Sequence, residues 1–225
     1  MNKILEEENF KRRLVMCLLG VVICGISVGF FKRAAFGLDP FQSFMAGLNT
    51  AVPISFGMLF TIACIILLLF ALIADRHYIG LATLINLFLA GYIIDFSQNL
   101  LFRLFPVLGM PGRIVFLIVG IVVMCLSGSL YITADLGVSV YDAVALIITQ
   151  TWHKGQFRWV RILTDAVCVA LGGLLYCLAG GSLSELGAQI GVGTVLTALF
   201  MGPLIDFFNR RVSQPILKRG GRGNE

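Results

Sequence analysis

The stretch IGLATLINLFLAGYIIDF (79–96) returns 111 residues later as IGVGTVLTALFMGPLIDF (190–207), with seven identical residues among eighteen. Apolar matches between two such segments carry little information, because Leu, Ile and Val dominate both. The matched Gly, Thr and Asp residues carry more, since polar and charged residues are rare inside membrane-length runs. The pair therefore indicates an internal duplication, the feature to look for first in any sequence.

A second alignment supports the same duplication at the start of each half. A shift of 100 residues aligns Arg13, Gly20, Val22, Ser27, Ala34 and Gly37 with Arg113, Gly120, Val122, Ser127, Ala134 and Gly137. A longer loop around 180–185 accounts for the larger shift later in the chain. The sequence thus predicts a first repeat at 1–104 and a second at 105–209. A basic, Gly-rich tail at 210–225 is expected to be disordered and to touch anionic lipid.

The composition places the chain in a membrane. Apolar residues make up 58% of its 225 residues and charged residues 13%, against about 25% charged residues in soluble domains. Charge-free runs such as 14–31 and 114–134 reach the roughly 18 residues that mark a membrane-spanning helix. The runs do not alternate polar and apolar residues, which excludes a transmembrane barrel. We expect an all-α, polytopic helical membrane protein.

Each half is predicted to contain three long helices and one short helix. The long helices are expected at 14–34, 54–74, 78–100, 113–133, 157–178 and 187–208, and the short ones at 39–51 and 139–152. Apolar pieces of about 10–14 residues are more often re-entrant or interfacial than spanning. Six crossings then give two halves of opposite orientation, the inverted 3+3 plan of many secondary transporters.

Charge predicts the orientation but not the number of crossings. The net charge of +5 would suggest nucleic acid in a soluble chain, whereas here the basic residues flank the spans and no nucleic-acid partner is expected. Whether the chain crosses the membrane six or eight times, most Lys and Arg residues lie on the same side of the membrane as the two termini. The rule that positive loops stay inside therefore predicts two cytoplasmic termini, and segment length favours six crossings.

Two short polar stretches interrupt the apolar runs at equivalent places, FGLDPFQSF (36–44) and LGVSVYDAV (136–144). Asp39 followed by Pro40 predicts a helix start, because Asp is a preferred N-cap and Pro fits the first helical position. Ser139 with Asp142 three residues later is a relative of the capping box. A helix start within a membrane presents unpaired N–H groups, which transporters use to bind solutes. Capped turns at the membrane surface are the alternative.

The long helix expected at 157–178 breaks the symmetry between the halves. The stretch FRWVRILTDAV (157–167) carries three charges on one face, whereas its counterpart ISFGMLFTIAC (54–64) carries none. Ionisable groups within a span are costly and indicate function by default, although Arg158 also fits an interface anchor. Arg161 and Asp165, four residues apart, fit an ion pair, a gate or an anion-binding cation with its partner. The predicted substrate-binding residues are Asp39, Gln42, Ser139, Tyr141, Asp142, Arg158, Arg161 and Asp165.

The last long helix of each half carries a second polar set. Asp95 and Asp206 each follow the repeated Ile-Gly by sixteen residues, which is about 24 Å along a helix. A carboxylate near a helix C-terminus is unfavourable alone and needs a partner. The start of a short helix could be that partner, or a nearby cation: Lys32 or Arg33 for Asp95, and Arg210 for Asp206. These aspartates are predicted to act in coupling or in structural polar pairs, together with Thr83, Asn86, Thr194 and Thr197.

The sequence contains no catalytic or metal-binding motif that we recognise. It has neither a GxSxG-type elbow nor an HExxH pair. The six cysteines lie in apolar runs and form no CxxC pair, so we interpret them as packing residues. We therefore expect no enzyme, no cofactor and no metal site.

With these motifs in hand, the chain resembles the YczE/YitT family of small bacterial membrane proteins over roughly residues 10–210. The resemblance rests on FGLDPF, ADLGVSVYDA, FRWVRILTD and IGVGTVLTALFMGPLIDFF. It implies a multi-pass protein of the bacterial cytoplasmic membrane, and it supplies no catalytic or binding residues.

Two functions fit the pattern. The favoured hypothesis is a transporter or solute-binding membrane subunit for a small anionic or zwitterionic solute, because helix starts and arginines are positive features. The alternative is a non-transporting accessory or assembly factor that binds another membrane protein, with its polar pairs structural. A homo-oligomer is compatible with both, since Gly25 and Gly29 form a GxxxG packing motif.

Overall fold

The computed structural model describes residues 2–219, and over this range the chain is helical with no strand. Ten α-helices follow one another: α1 Asn2–Ala34, α2 Pro40–Ala51, α3 Phe56–Ala74, α4 Leu81–Leu104, α5 Met110–Ala134, α6 Val140–Leu146, α7 Phe157–Leu178, α8 Leu183–Gln189, α9 Val192–Phe208 and α10 Gln214–Arg219. A 3-10 turn (Arg76–Tyr78) and two π-helical segments (Ile147–Thr151 and Asn209–Ser213) complete the path.

Six segments of the described chain are long and apolar enough to cross a membrane. They are Phe10–Ala34, Phe56–Ala74, Leu81–Leu104, Met110–Ala134, Trp159–Leu178 and Glu185–Leu217. Large apolar side chains, such as Ile66 and Leu163, lie exposed on their outer faces, as lipid-facing residues do because hydrocarbon does not penalise them. The all-α, polytopic membrane fold is confirmed.

The helices α1 and α5 run antiparallel through the centre of the bundle. The Arg13 guanidinium near the start of α1 donates to the Ala134 carbonyl at the end of α5, at 3.2 Å. The Arg113 guanidinium near the start of α5 donates to the Ala34 carbonyl at the end of α1, at 2.7 Å. These residues are 100 positions apart in sequence, so equivalent groups of the two halves make equivalent bonds. Such reciprocity is what an inverted repeat produces, and the repeat itself stays a prediction.

The last long helix of each half runs beside the first and in the same direction. On α4, Ala82 lies with Cys17 near the start of α1, and the Ser97 hydroxyl donates to the Gly25 carbonyl at 2.7 Å. On α9, the backbone of Gly193 approaches Leu117 early in α5, and Thr133 near the end of α5 bonds to Asn209. The helix α1 is therefore packed on both sides, and its buried residues Val21, Val28 and Phe31 form the core with α4 and α5.

The helix α3 returns antiparallel to α4 along a glycine contact. A β-carbon on Gly57 would lie 2.7 Å from the Gly91 carbonyl oxygen, so both positions require glycine. Farther along α3, the Thr61 hydroxyl lies 3.5 Å from the Leu87 carbonyl. The first half thus runs across the bundle three times. The second half begins at the opposite end, because α5 is antiparallel to α1.

The interruption after the first helix of each half packs against the Ile-Gly motif of the other half. The Leu38 amide donates to the Gln189 carbonyl at 3.0 Å, and the Val138 amide donates to the Tyr78 carbonyl at 3.2 Å. A β-carbon on Gly37 would lie 2.6 Å from the Gly191 nitrogen, and one on Gly137 would lie 2.6 Å from the Gly80 nitrogen. We call these two contacts the glycine clasps (37 with 191, and 137 with 80).

The structure differs from the sequence expectation at three places in the second half. The helix expected at 187–208 is divided into α8, which ends at Gln189, and α9, which begins at Val192. The second short helix is α-helical only over Val140–Leu146 and continues as a π-helix to Thr151. The chain after Phe208 continues as a π-helical segment and α10, so the disorder expected from residue 210 is not found over 210–219. Leu217 packs against the core cluster that contains Met16 and Cys17, which gives the apolar positions of this segment a reason to fold. Residues 220–225 of the expected tail lie outside the described chain.

Candidate functional site

Both interruptions form capped helix starts, as the sequence predicts. Gly37 has φ of 106° and Gly137 has φ of 113°, a region that L-residues rarely adopt, so the chain reverses at these glycines. The Asp39 carboxylate accepts from the Gln42 amide at 3.2 Å, with Pro40 at the first helical position. The Ser139 hydroxyl accepts from the Asp142 amide at 3.1 Å. Each helix start is thus satisfied by a side chain of its own segment.

The two short helices meet through an aromatic pair. The Phe41 ring on α2 stacks on the Tyr141 ring on α6, with centroids 4.8 Å apart and an interplanar angle of 23°. Phe41 also contacts the Phe60 ring edge-on at 5.7 Å. Since α2 and α6 belong to different halves, the pair joins the two predicted repeats at their interrupted segments.

A network of charged and hydroxyl side chains surrounds Tyr141. The Tyr141 hydroxyl donates to the Asp165 carboxylate at 2.6 Å, and the Arg161 guanidinium lies over the Tyr141 ring at 4.3 Å. The Arg161 guanidinium forms ion pairs with Asp142 and, at 3.4 Å, with Asp165. The Ser139 hydroxyl donates to the second Asp142 oxygen at 2.7 Å. We call Ser139, Tyr141, Asp142, Arg161 and Asp165 the polar cluster.

The polar cluster carries more negative than positive charge. Asp39 lies close enough to Arg161 and Asp165 to interact electrostatically with both. Among the described side chains, the Arg161 guanidinium thus pairs with two carboxylates, and a third, Asp39, lies near them. The Asp142 and Arg161 side chains remain 42% and 29% exposed, so the cluster is open on one side. Such an arrangement attracts a cation or a proton and repels an anion.

Five of the eight predicted binding residues thus form the polar cluster, and Asp39 lies near it. The exceptions are Gln42 and Arg158. Gln42 is buried, and its Oε1 atom has no hydrogen-bond partner among the residues that the structure describes. The Arg158 side chain lies outside the described part of the structure.

The predicted coupling residues do not join the polar cluster. The Asp95 carboxylate accepts from the Gly57 amide at 2.8 Å, so its partner is the start of α3 rather than of a short helix. Asp206 pairs with Arg210 at 2.9 Å on the exposed surface, as expected. The remaining members lie at the glycine clasps or inside α4 and α9: Thr83, Asn86, Thr194 and Thr197. The contacts of these four residues fit a structural role.

Two cavities flank the interrupted helices. An apolar crevice of about 270 Å³ lies between α2, α3, α6 and α7, lined by Phe41, Leu59, Tyr141 and Cys168 among others. It reaches the polar cluster at Tyr141. A second cavity of about 260 Å³ lies near the end of α1 and is lined by Lys32, Asn49, Gln98 and Gln189 among others. The sequence assigns Lys32 only as a partner for Asp95. Lys32 lies in the last turn of α1, where a lysine is common, and its cavity is formed by residues far apart in the chain.

The comparisons with known proteins place the chain among bacterial relatives. The sequence pattern of a family described as "Family of unknown function (DUF6198)" matches residues 11–210. An uncharacterized membrane protein YczE of Bacillus subtilis is 26% identical over 84% of this chain and 81% of its own length. An uncharacterized protein of Haemophilus influenzae is 24% identical over 88% of this chain and 83% of its own length.

A further relative, the uncharacterized protein YyaS of Bacillus subtilis, is 22% identical over 91% of this chain and 96% of its own length. No solved structure matches. The resemblance to YczE-like proteins that the motifs indicate is thus confirmed over most of the chain.

Proposed function

The chain belongs to the DUF6198 family, described as of unknown function, and from that premise we propose that it is a membrane carrier for a small, positively charged solute. The polar cluster is the binding site in this proposal. The observation that carries it is the meeting of α6 and α7 at one guanidinium and two carboxylates, with Asp39 at the start of α2 near them. Charged groups within a membrane are costly, and they persist where a solute or ion passes.

The charge balance favours a cationic solute over the anionic one that the sequence suggested. An anion would need a free positive group, and Arg161 is already paired with Asp142 and Asp165. The N-terminus of α2 is also occupied, because the Asp39 carboxylate accepts its amides. A zwitterion still fits through its positive end.

The surroundings of the polar cluster suggest what else the solute carries. The Phe41 ring lines the crevice beside the cluster, and aromatic rings attract organic cations. The faces of Tyr141 itself are covered by Phe41 and Arg161. The adjoining crevice of about 270 Å³ is lined mainly by apolar side chains. We therefore assign the site an organic cation with an apolar body, with its charged end near Asp142 and Asp165.

Carrier action follows from how the cluster joins the elements. Asp142 lies on α6 and Asp165 on α7, and Arg161 holds both. A cationic solute competes with Arg161 for these carboxylates, and displacement of Arg161 also frees the Tyr141 ring, which joins α6 to Phe41 of the other half. Rocking of one half on the other, as in inverted-repeat transporters, would then expose the site to alternate sides. Both termini lie on the cytoplasmic side of the bacterial membrane in this proposal, and no reaction is catalysed.

Binding of benzyltrimethylammonium, a quaternary cation with one aromatic ring, tests the proposal. Purified protein in lipid nanodiscs is titrated by calorimetry, and uptake into proteoliposomes is measured with the labelled compound. Asp165→Asn is expected to weaken binding at least tenfold while the protein stays folded. Asp206→Asn is the matched control, because it removes an aspartate from an exposed pair outside the cluster.

Unchanged affinity in Asp165→Asn would contradict the cluster as the site. Binding without uptake would support a solute-binding subunit rather than a carrier. Absence of both binding and uptake across organic cations would favour the accessory protein that the sequence left as its alternative.

A further inference from the structure

A cavity separate from the polar cluster lies at the end of the bundle where α1 finishes. Residues of α1, α2 and α4 and the end of α8 enclose about 260 Å³. Its polar lining consists of Lys32, Asn49, Thr50, Gln98 and Gln189. Four of these are neutral and one is a cation, so the cavity has the opposite sign to the polar cluster.

The cation of this cavity has only neutral direct partners. The Lys32 ammonium donates to the Gln98 Oε1 atom at 2.7 Å and lies 3.2 Å from the centroid of the Phe56 ring. Asp95 acts on it only at longer range, since its carboxylate accepts from the Gly57 amide. Within the described chain, no carboxylate oxygen lies within the 4 Å of an ion pair with Lys32. A lysine held in a span without an ion pair is costly unless something else offsets its charge.

Further polar groups in the cavity are free to bind a ligand. The Gln189 Oε1 atom is buried and has no hydrogen-bond partner among the described residues. The Lys32 ammonium has three hydrogens, of which one is used by Gln98. A buried polar atom without a partner destabilises the folded protein, so an occupant that supplies a hydrogen bond to it is favoured.

We infer that this cavity binds an oxyanion, a carboxylate or phosphate group that pairs with Lys32 and carries a hydroxyl for Gln189. Lys32 supplies the charge, and the side-chain amides of Gln98 and Gln189 supply neutral hydrogen bonds. The inference stands apart from the proposed function, because it uses no residue of the polar cluster. The oxyanion comes either from a small organic acid or from a lipid headgroup, and the experiment separates these sources.

Thermal unfolding in nanodiscs of zwitterionic phosphatidylcholine tests the free-anion source. Sodium lactate, which carries a carboxylate and a hydroxyl, is compared with sodium chloride at equal ionic strength. At a lactate concentration about ten times its Kd, the midpoint is expected to rise by roughly 3–6 °C over chloride. Lys32→Gln is expected to abolish this rise, and Lys32→Arg to keep part of it. Arg103→Gln is the matched control, because it removes an exposed cation from the same end of the bundle.

Nanodiscs that contain phosphatidylglycerol test the lipid source. Its headgroup has a phosphate and hydroxyls, so occupation by lipid raises the midpoint without added anion and removes the effect of lactate. A Lys32-dependent rise in either arm supports the oxyanion site. No rise in either arm, or an equal rise in Lys32→Gln, overturns it.

A second variant keeps the test informative if Lys32→Gln does not fold. Gln98→Met removes the neutral partner and leaves the charge. It is expected to reduce the lactate effect at least threefold, and an unchanged effect would count against the site. Binding of benzyltrimethylammonium is measured on the same samples. It should be unaffected by either variant, so that failure of one site is told apart from failure of the other.

Discussion

The two halves of the molecule share their backbone contacts and differ in their side-chain chemistry. Arg13 and Arg113 bond to equivalent carbonyls, and both glycine clasps have the same geometry. In contrast, Arg161 and Asp165 on α7 stand where α3 has Met58 and Ile62. The comparison teaches that close backbone packing constrains both halves equally, whereas the polar cluster needs to be built only once.

The glycine clasps are expected to give the largest effect, and the same effect in both halves. Gly37→Ala and Gly137→Ala each place a β-carbon 2.6 Å from a backbone nitrogen at a positive φ. Overpacking costs about 1–3 kcal/mol and the backbone conformation about 1–2 kcal/mol, so each variant should lose roughly 2–5 kcal/mol. Denaturant titration in detergent micelles measures the loss. A loss at one glycine alone would show that the clasps are not equivalent.

Removal of one charge from the polar cluster is expected to have the next largest effect. Arg161→Met puts the residue of the first half at this position and leaves Asp142 and Asp165 unpaired. Loss of one partner of a buried pair costs about 3–5 kcal/mol, and the partial exposure of Arg161 reduces this to roughly 2–3 kcal/mol.

The double variant Arg161→Met with Asp165→Ile sharpens the comparison. It copies the first half at both positions and leaves fewer unpaired charges, so it should recover at least half of the lost stability. Solute binding should be lost in the double variant, because Asp165 is one of the two carboxylates that hold the cation in the proposed site. The free energy of unfolding of the single and double variants gives the answer. A double variant that is less stable than the single one would mean that the cluster is mainly structural.

The repeated aspartates are expected to differ although their sequence positions match. The Asp95 carboxylate accepts from the Gly57 amide, and Asp95→Ala should lose about 1.5–3 kcal/mol as a charged hydrogen bond is removed. Asp206 is 57% exposed and pairs with Arg210 one turn away, so Asp206→Ala should lose about 0.3–0.5 kcal/mol. Thermal unfolding of the two variants side by side measures the difference. Equal losses would contradict the structural asymmetry.

The sequence was sufficient to predict most of the helices, the two interruptions and most residues of the polar cluster. A glycine followed closely by an N-cap residue, either Asp before Pro or Ser, indicates a helix start. Asp39 and Ser139 could therefore be predicted as caps from the local sequence alone. Arg161 and Asp165 were found because charge is rare in a span.

The sequence could not show which groups neutralise each other, because that depends on how α2, α6 and α7 pack. From the sequence, Arg161 with Asp165 fits an ion pair, a gate or an anion-binding cation with its partner, and the structure shows Arg161 paired with both Asp142 and Asp165. The part played by Lys32 was missed for the same reason, since its cavity is formed by residues far apart in sequence, such as Asn49, Gln98 and Gln189. The helical continuation after residue 208 was missed because its Gly-rich, basic end suggested disorder throughout.

The smallest expected effect concerns the residues that end α3 and α7. Asp75 ends α3, whereas the uncharged Ala179 ends α7. The Thr151 hydroxyl donates to the Asp75 carboxylate at 2.6 Å, and the His77 amide donates to it at 3.0 Å. These two hydrogen bonds lower the pKa of Asp75 below its usual value, and the bond from Thr151 has the larger effect.

Thr151→Val removes the larger of these causes, so the pKa of Asp75 should rise toward its usual value. A carboxylate with a lowered pKa contributes stability above the pKa of the unfolded chain, about 3.9, and loses it as the pH falls through the folded value. The midpoints of wild type and Thr151→Val should therefore differ slightly at pH 7 and converge below about pH 4. Ala179→Ser is the control in the other half and should show no such pH dependence, because position 179 has no carboxylate to titrate. A difference between wild type and Thr151→Val that persists at low pH would mean that Thr151 acts through packing rather than through its bond to Asp75.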